Sequence, residues 1–111
     1  MAELQQVIAQ NGPLPIKATA NIETDGPTVV TFAGSVWTTS PNVIIGVSLV
    51  IDEDYQVGAQ IFSNGPNTHR AVVPMTFAYT FTIGQHTFTL QELTIETTSD
   101  YNDFFVATVQ Y

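Results

Sequence analysis

The segment Thr98-Ser99-Asp100-Tyr101-Asn102-Asp103-Phe104-Phe105 sets two carboxylates, an amide and a phenol side by side. Oxygen ligands gathered on a loop suit calcium, so Asp100 and Asp103 are the calcium candidates, with Asp52-Glu53-Asp54 a second acidic run. Neither run has the spacing of a helix-loop-helix calcium loop. Asp and Asn at such places also bond to nearby backbone and build turns, and that reading outweighs calcium. A second polar concentration, Phe62-Ser63-Asn64-Gly65-Pro66-Asn67-Thr68-His69-Arg70, offers planar donors and acceptors that suit sugar hydroxyls, with the chain's single guanidinium at Arg70. Tyr101 or Trp37 would supply a stacking face. The candidate ligand-binding set is therefore Asn64, Asn67, His69, Arg70, Tyr101, Asn102 and Asp103. The competing structural account makes Gly65-Pro66 a turn and pairs Arg70 with Asp100 or Asp103.

No residue set names a reaction. His69 and His86 lack a G-x-S-x-G serine, and Ala33-Gly34-Ser35-Val36-Trp37 lies in a strand pattern. Glu92, Glu96, Asp100 and Asp103 could flank a glycosidic bond only at distances that spacing does not define. The expectation is a non-enzyme with no resident cofactor. Two histidines on either side of a hairpin do not form a transition-metal site by spacing, and His86 is expected at the solvent edge.

These residues must be positioned by strands. The 111 residues suffice for one domain, and a 44% hydrophobic content fills one core. Ten acids against Lys17 and Arg70 leave a net charge of −8, which excludes a phosphate-neutralising surface and hence nucleic-acid binding, and is repelled by anionic membranes. Charged residues are 11% of the chain against roughly 25% in ordinary domains, a surface that fits an extracellular, virion or oligomeric β protein. No cysteine is present, so thiolate chemistry and disulfides are excluded. The first dozen residues lack the basic and apolar regions of a signal peptide, and no apolar run is long enough for a membrane helix. Cellular location is left open.

Val, Ile, Thr, Phe and Tyr alternate with polar residues in strand candidates near 15–23, 28–38, 43–51, 55–63, 69–82, 86–97 and 104–110. Residues 1–13 read as an N-terminal arm or edge strand. The run Met75-Thr76-Phe77-Ala78-Tyr79-Thr80-Phe81, followed by Ile83-Gly84-Gln85-His86, predicts a hairpin. Its register pairs Ile83 with His86, Phe81 with Phe88 and Tyr79 with Leu90. A bulge at Gln91-Glu92 would restore the parity lost before Leu93 and Ile95. A second hairpin turns at Asp52-Glu53-Asp54. Its first strand, 43–51, is apolar on both faces, so one face meets the core and the other is expected to meet another subunit. Some seven or eight strands without crossover helices give an all-β antiparallel sandwich of jelly-roll type, with an immunoglobulin-like sandwich as competitor.

The stretches Thr28-Val29-Val30-Thr31-Phe32-Ala33-Gly34-Ser35-Val36-Trp37, 44–74, Gly84-Gln85-His86-Thr87-Phe88-Thr89-Leu90-Gln91 and 100–111 resemble small bacterial and phage jelly-roll proteins. More distantly they resemble the globular heads of complement and tumour necrosis factor. The resemblance spans most of residues 14–111 and implies a homotrimer serving recognition or assembly, with a glycan or cell-surface ligand. It carries over no residue-level site. A purely structural virion or surface-layer component is the alternative. The chain departs from that group in being short and in containing no collagen-like stretch.

Overall fold

Strands form where β-branched and aromatic residues alternate with Thr, Ser, Gln and Asn, because alternate side chains then meet a common interior. The computed structural model describes residues 3–111, in nine strands: β1 (Leu4–Asn11), β2 (Ile16–Ile22), β3 (Pro27–Val36), β4 (Val43–Ile51), β5 (Tyr55–Ser63), β6 (Arg70–Ala71), β7 (Met75–Thr80), β8 (Gly84–Glu92) and β9 (Phe104–Gln110). One sheet runs β1-β9-β3, with β6 and β7 both alongside β3, and the other runs β2-β8-β4-β5; every pairing is antiparallel. The result is the expected two-sheet sandwich. With β6 and β7 taken as one interrupted strand, the chain passes from one sheet to the other at every step except the β4–β5 hairpin.

Between the sheets lie Phe32, Phe88, Phe105, Ile22, Ile45, Leu49 and Leu90, all fully buried. Each contributes about 2 kcal/mol of burial. The registers bring the loops β1–β2, β3–β4, β5–β6 and β8–β9 to one end of the sandwich. The two polar runs singled out in the sequence sit in those loops. The N-terminal stretch is an edge strand, β1, paired with β9.

The hairpin expected over 75–90 does not form. β7 pairs with β3, setting Phe77 against Val30 and Tyr79 against Thr28, while β8 pairs with β2 and β4 in the opposite sheet. Alternation specifies which face of a strand looks inward, and it is satisfied equally by two strands facing one interior from opposite sheets. Phe81 is buried where the chain crosses, and its ring still lies 5.7 Å from that of Phe88, a contact across the core rather than along a ladder. His86 is likewise buried rather than at the solvent edge. Its Nδ1 donates to Asp52 Oδ2 and its Nε2 lies against the Thr82 carbonyl, each at 2.6 Å. The strand expected over 69–82 is split by Val72-Val73-Pro74, since Pro74 has no N–H to donate to a ladder.

The hairpin at Asp52-Glu53-Asp54 does form, with Ile51 opposite Tyr55. Asp52 and Glu53 take left-handed φ values of 53° and 60° to close it. No bulge follows Leu90. β8 ends at Glu92, and Leu93 folds back over the outer face of β4 and β5, so the parity changes because the strand has stopped. That fold-back also answers the doubly apolar strand 43–51. At Gly46 and Gly58 its outer face is covered by the chain's own Leu93, and Ile44 and Phe62 stay exposed beyond it.

Gly46 is required by this close packing. A Cβ there would sit 2.2 Å from the Ala59 carbonyl oxygen and 2.9 Å from Leu93 Cδ2. Gly46→Ala is expected to cost about 2–3 kcal/mol by overpacking, read as a lower urea midpoint. Gly65→Ala, where a Cβ meets nothing within 4 Å, serves as the control and should change stability by less than about 0.5 kcal/mol.

Candidate functional site

At the loop-rich end, Val36 in β3 pairs with Arg70 in β6. The next step of that register sets Trp37 against His69, and their rings lie 5.7 Å apart. Trp37 also bridges to Thr98, through Trp37 N to Thr98 O at 2.9 Å and Thr98 N to Trp37 O at 2.8 Å. The β8–β9 loop is therefore stitched to the end of β3. The loop at 64–70 and the segment at 99–103 meet here.

Their meeting point is Asp103, which is fully buried. Its Oδ1 accepts from Ser35 Oγ at 2.7 Å and from His69 Nδ1 at 2.6 Å, and its Oδ2 accepts from the Asp100 N–H at 2.9 Å. Its backbone joins in, since Gly12 N donates to Asp103 O at 2.8 Å and Asp103 N donates to Asp100 O at 3.1 Å. The expected Asx-rich turn is real, with Asn102 N on Asp100 Oδ1 at 2.8 Å. Asp103 is, however, more than a turn residue. One carboxylate ties together β3, the β5–β6 loop and the β8–β9 loop.

The cation facing these acids is His69, not Arg70. Arg70 shares a register position with buried Val36, and its Nε is buried without a hydrogen-bond partner. The hydrogen bond to Asp103 chiefly raises the His69 pKa above 6.5; burial opposes this, and the charges of Asp103 and Asp100 add to it. His69 Nε2 and Asp100 Oδ2 lie 3.8 Å apart. That is too long for a direct hydrogen bond, so a ring nitrogen and a carboxylate oxygen face each other with hydrogen-bonding capacity to spare. Tyr101 is 78% exposed beside them, its carbonyl held by Asn11 Nδ2 at 3.0 Å, and the Asn102 side chain is exposed as well. Asn67 takes a φ of 62° and docks its N–H on the Thr38 carbonyl at 2.7 Å. Asn64 is exposed, and among the described residues no side-chain hydrogen bond ties it or Asn67 to the cluster.

One ligand atom from each of His69, Asp100 and Asp103 lies within 4.8 Å of the others, a set able to hold a metal ion. An imidazole in the set suits zinc better than calcium. Of the two calcium candidates, Asp100 keeps an oxygen free, whereas both oxygens of Asp103 already accept hydrogen bonds. Ser35, Asp103 and His69 share the residue types of a hydrolytic triad but not its order. The carboxylate stands between the hydroxyl and the imidazole, so His69 cannot take the Ser35 proton directly. Sequence reasoning missed Ser35, whose only signal was its alternation with Trp37 in an outward-facing row.

No family model matches the chain, and no curated protein matches it. Among solved structures, 97% of the chain is similar to part of dimeric latent PorU from Porphyromonas gingivalis, with a TM-score of 0.53 and 9% identity. The chain spans only 12% of that protein. It is also similar, over 98% of its length, to the CBM35 of Cellvibrio japonicus Abf62, with a TM-score of 0.48, 13% identity and 92% of that chain covered. Over the same 98% it is similar to the C-terminal domain of EclA, described as a sugar-binding protein, with a TM-score of 0.50, 16% identity and 76% of that chain covered. The likeness is one of fold. Neither a tumour necrosis factor nor a complement head is among the three.

Two outcomes test the site's construction. Asp103→Ala removes three hydrogen bonds to a buried charge and is expected to cost about 3 kcal/mol in urea unfolding. The second test is pH. For His86, burial lowers the pKa, but the Asp52 hydrogen bond, the Thr82 carbonyl and the Asp52 charge together raise it above 6.5. A raised histidine stabilises fully below its unfolded value near 6.5, and that stabilisation is lost as pH rises through the folded value. The melting temperature should therefore fall as pH is raised above 6.5, and His69→Gln and His86→Gln should each flatten that fall.

Proposed function

We propose that the chain is a non-catalytic carbohydrate-recognition module, with its sugar seated at the loop-rich end among His69, Asp100, Tyr101 and Asn102. One observation carries this reading: the His69 Nε2 and Asp100 Oδ2 pair, 3.8 Å apart and uncommitted to each other, beside a widely exposed Tyr101 ring. Adjacent sugar hydroxyls each donate and accept, so a diol fills a facing donor and acceptor without leaving either unpaired. The flat face of a pyranose ring stacks on an exposed aromatic. Both groups are preorganised, because His69 is fixed from below by buried Asp103 and Asp100 by its own turn. The fold likeness to the C-terminal domain of EclA, described as sugar-binding, is compatible with this use of the scaffold.

Arg70 drops out of the ligand contacts in this reading, and Asn64 and Asn67 become outer contacts for a longer glycan. The homotrimer belongs to the same proposal; Ile44 and Phe62, exposed cross-strand neighbours on β4 and β5, are the surface it would use.

A glycan array followed by calorimetric titration tests the reading. One class of glycan should bind in the micromolar to millimolar range, and Tyr101→Ala should weaken it by about tenfold, roughly the loss of one aromatic platform, with an unchanged melting temperature. His69→Ala should weaken it at least as much. A chain that binds no glycan, or whose binding is indifferent to both substitutions, would return the reading to a purely structural surface component.

A further inference from the structure

Beside the polar cluster, on the outer face of the β1-β9-β3 sheet, lies a groove of about 430 Å³ lined by eight residues of β3, β6, the β6–β7 link and β9. Ala33, Ala71, Pro74, Phe104 and Val106 are among them, and Ser35 contributes the one polar side chain. The hydroxyl of Ser35 is already committed to Asp103 Oδ1, so the side-chain surface of the groove is apolar. The groove exists because the strand beside β3 is interrupted. β6 stops at Ala71, Val72 turns inward and is buried with its N–H on the Gly34 carbonyl at 2.9 Å, and β7 resumes only at Met75. Small residues at positions 33 and 71 leave the floor low, and Phe104, 51% exposed, stands as a wall.

Two observations say what occupies it. The groove adjoins the candidate sugar site: Ser35, which lines it, donates to the same Asp103 oxygen that holds His69, and Phe104 directly follows Asp103. Its size suits a small apolar group, since eight residues fall well short of the roughly 20–30 per side that a stable protein partner engages, while the volume lies in the usual range for small ligands. We infer that the ligand is a glycoside bearing an apolar aglycone, its sugar at His69 and Asp100 and its alkyl or aryl group in the groove between Ala71 and Phe104. This rests on the carbohydrate reading and adds a substrate class to it.

The test uses the full chain, labelled with nitrogen-15, and matched methyl, n-hexyl and phenyl glycosides of glucose, galactose, mannose and N-acetylglucosamine. Amide shifts at His69, Tyr101 and Asn102 report the sugar, and those at Ala33, Ala71 and Val106 report the groove. For whichever sugar moves the first group, the hexyl or phenyl glycoside should bind about tenfold tighter than the methyl one and also move the second group. The alkyl and aryl arms distinguish a lipid-like from an aromatic aglycone. Ala71→Leu, at an exposed strand position, should abolish the gain and leave methyl glycoside affinity unchanged, with Ala33→Leu as a second filling variant if the first lowers the melting temperature. Equal affinities for methyl, hexyl and phenyl glycosides, or a gain that survives groove filling, would overturn the inference while leaving the sugar site standing. Failure of every glycoside to move His69, Tyr101 and Asn102 would overturn the carbohydrate reading itself, and the inference with it.

Discussion

The buried carboxylate of Asp103 is the constraint on which the loop-rich end depends. A charge removed from water is tolerated only when its lone pairs are met by donors, and here Ser35, His69 and the Asp100 amide meet them. Because those donors come from β3, the β5–β6 loop and the β8–β9 loop, none of the three can move without leaving the charge unpaired. The exposed groups above it therefore stand on a fixed base. Loops in a sandwich are ordinarily its most mobile parts, and a recognition site built on them needs such a base.

A second Asp–His couple performs the same task at the opposite end. Asp52 accepts from His86 Nδ1 with one oxygen and from the Thr87 N–H with the other, fastening the β4–β5 turn to the start of β8 where the chain has just crossed between sheets. The chain has only two cationic side chains besides its histidines, and the two Asp–His hydrogen bonds supply pairing of the kind that Lys and Arg supply elsewhere. That economy leaves most of the ten acids facing solvent and puts one Asp–His couple at each end of the sandwich.

The interrupted strand beside β3 shapes the surface next to the polar cluster. β6 and β7 pair with β3 on either side of the break, opposite Ser35 and Phe32 respectively. The break at Val72-Val73-Pro74 sacrifices ladder hydrogen bonds at a sheet edge, where their loss costs least, and opens an apolar surface next to the polar cluster. The polar cluster and the apolar groove meet at Ser35, which lines the groove and donates to Asp103.

Composition and alternation by themselves determined the all-β class, the antiparallel sandwich, the turn at Asp52-Glu53-Asp54 and the inward face of nearly every strand, because burial of alternate side chains is a local property of a strand. They also located the two polar runs that meet in the candidate site. Partner choice was decided only by the tertiary structure. The β7–β8 ladder dissolved into two strands facing one core, Leu93 folded back over Gly46, and His69 rather than Arg70 answered the acids. In each case residues far apart in the chain compete for one position, and the winner depends on register, close backbone approach and the direction of a side chain. Spacing along the chain records none of these, whereas the fold brings Ser35, His69 and Asp103 within hydrogen-bonding reach of one another.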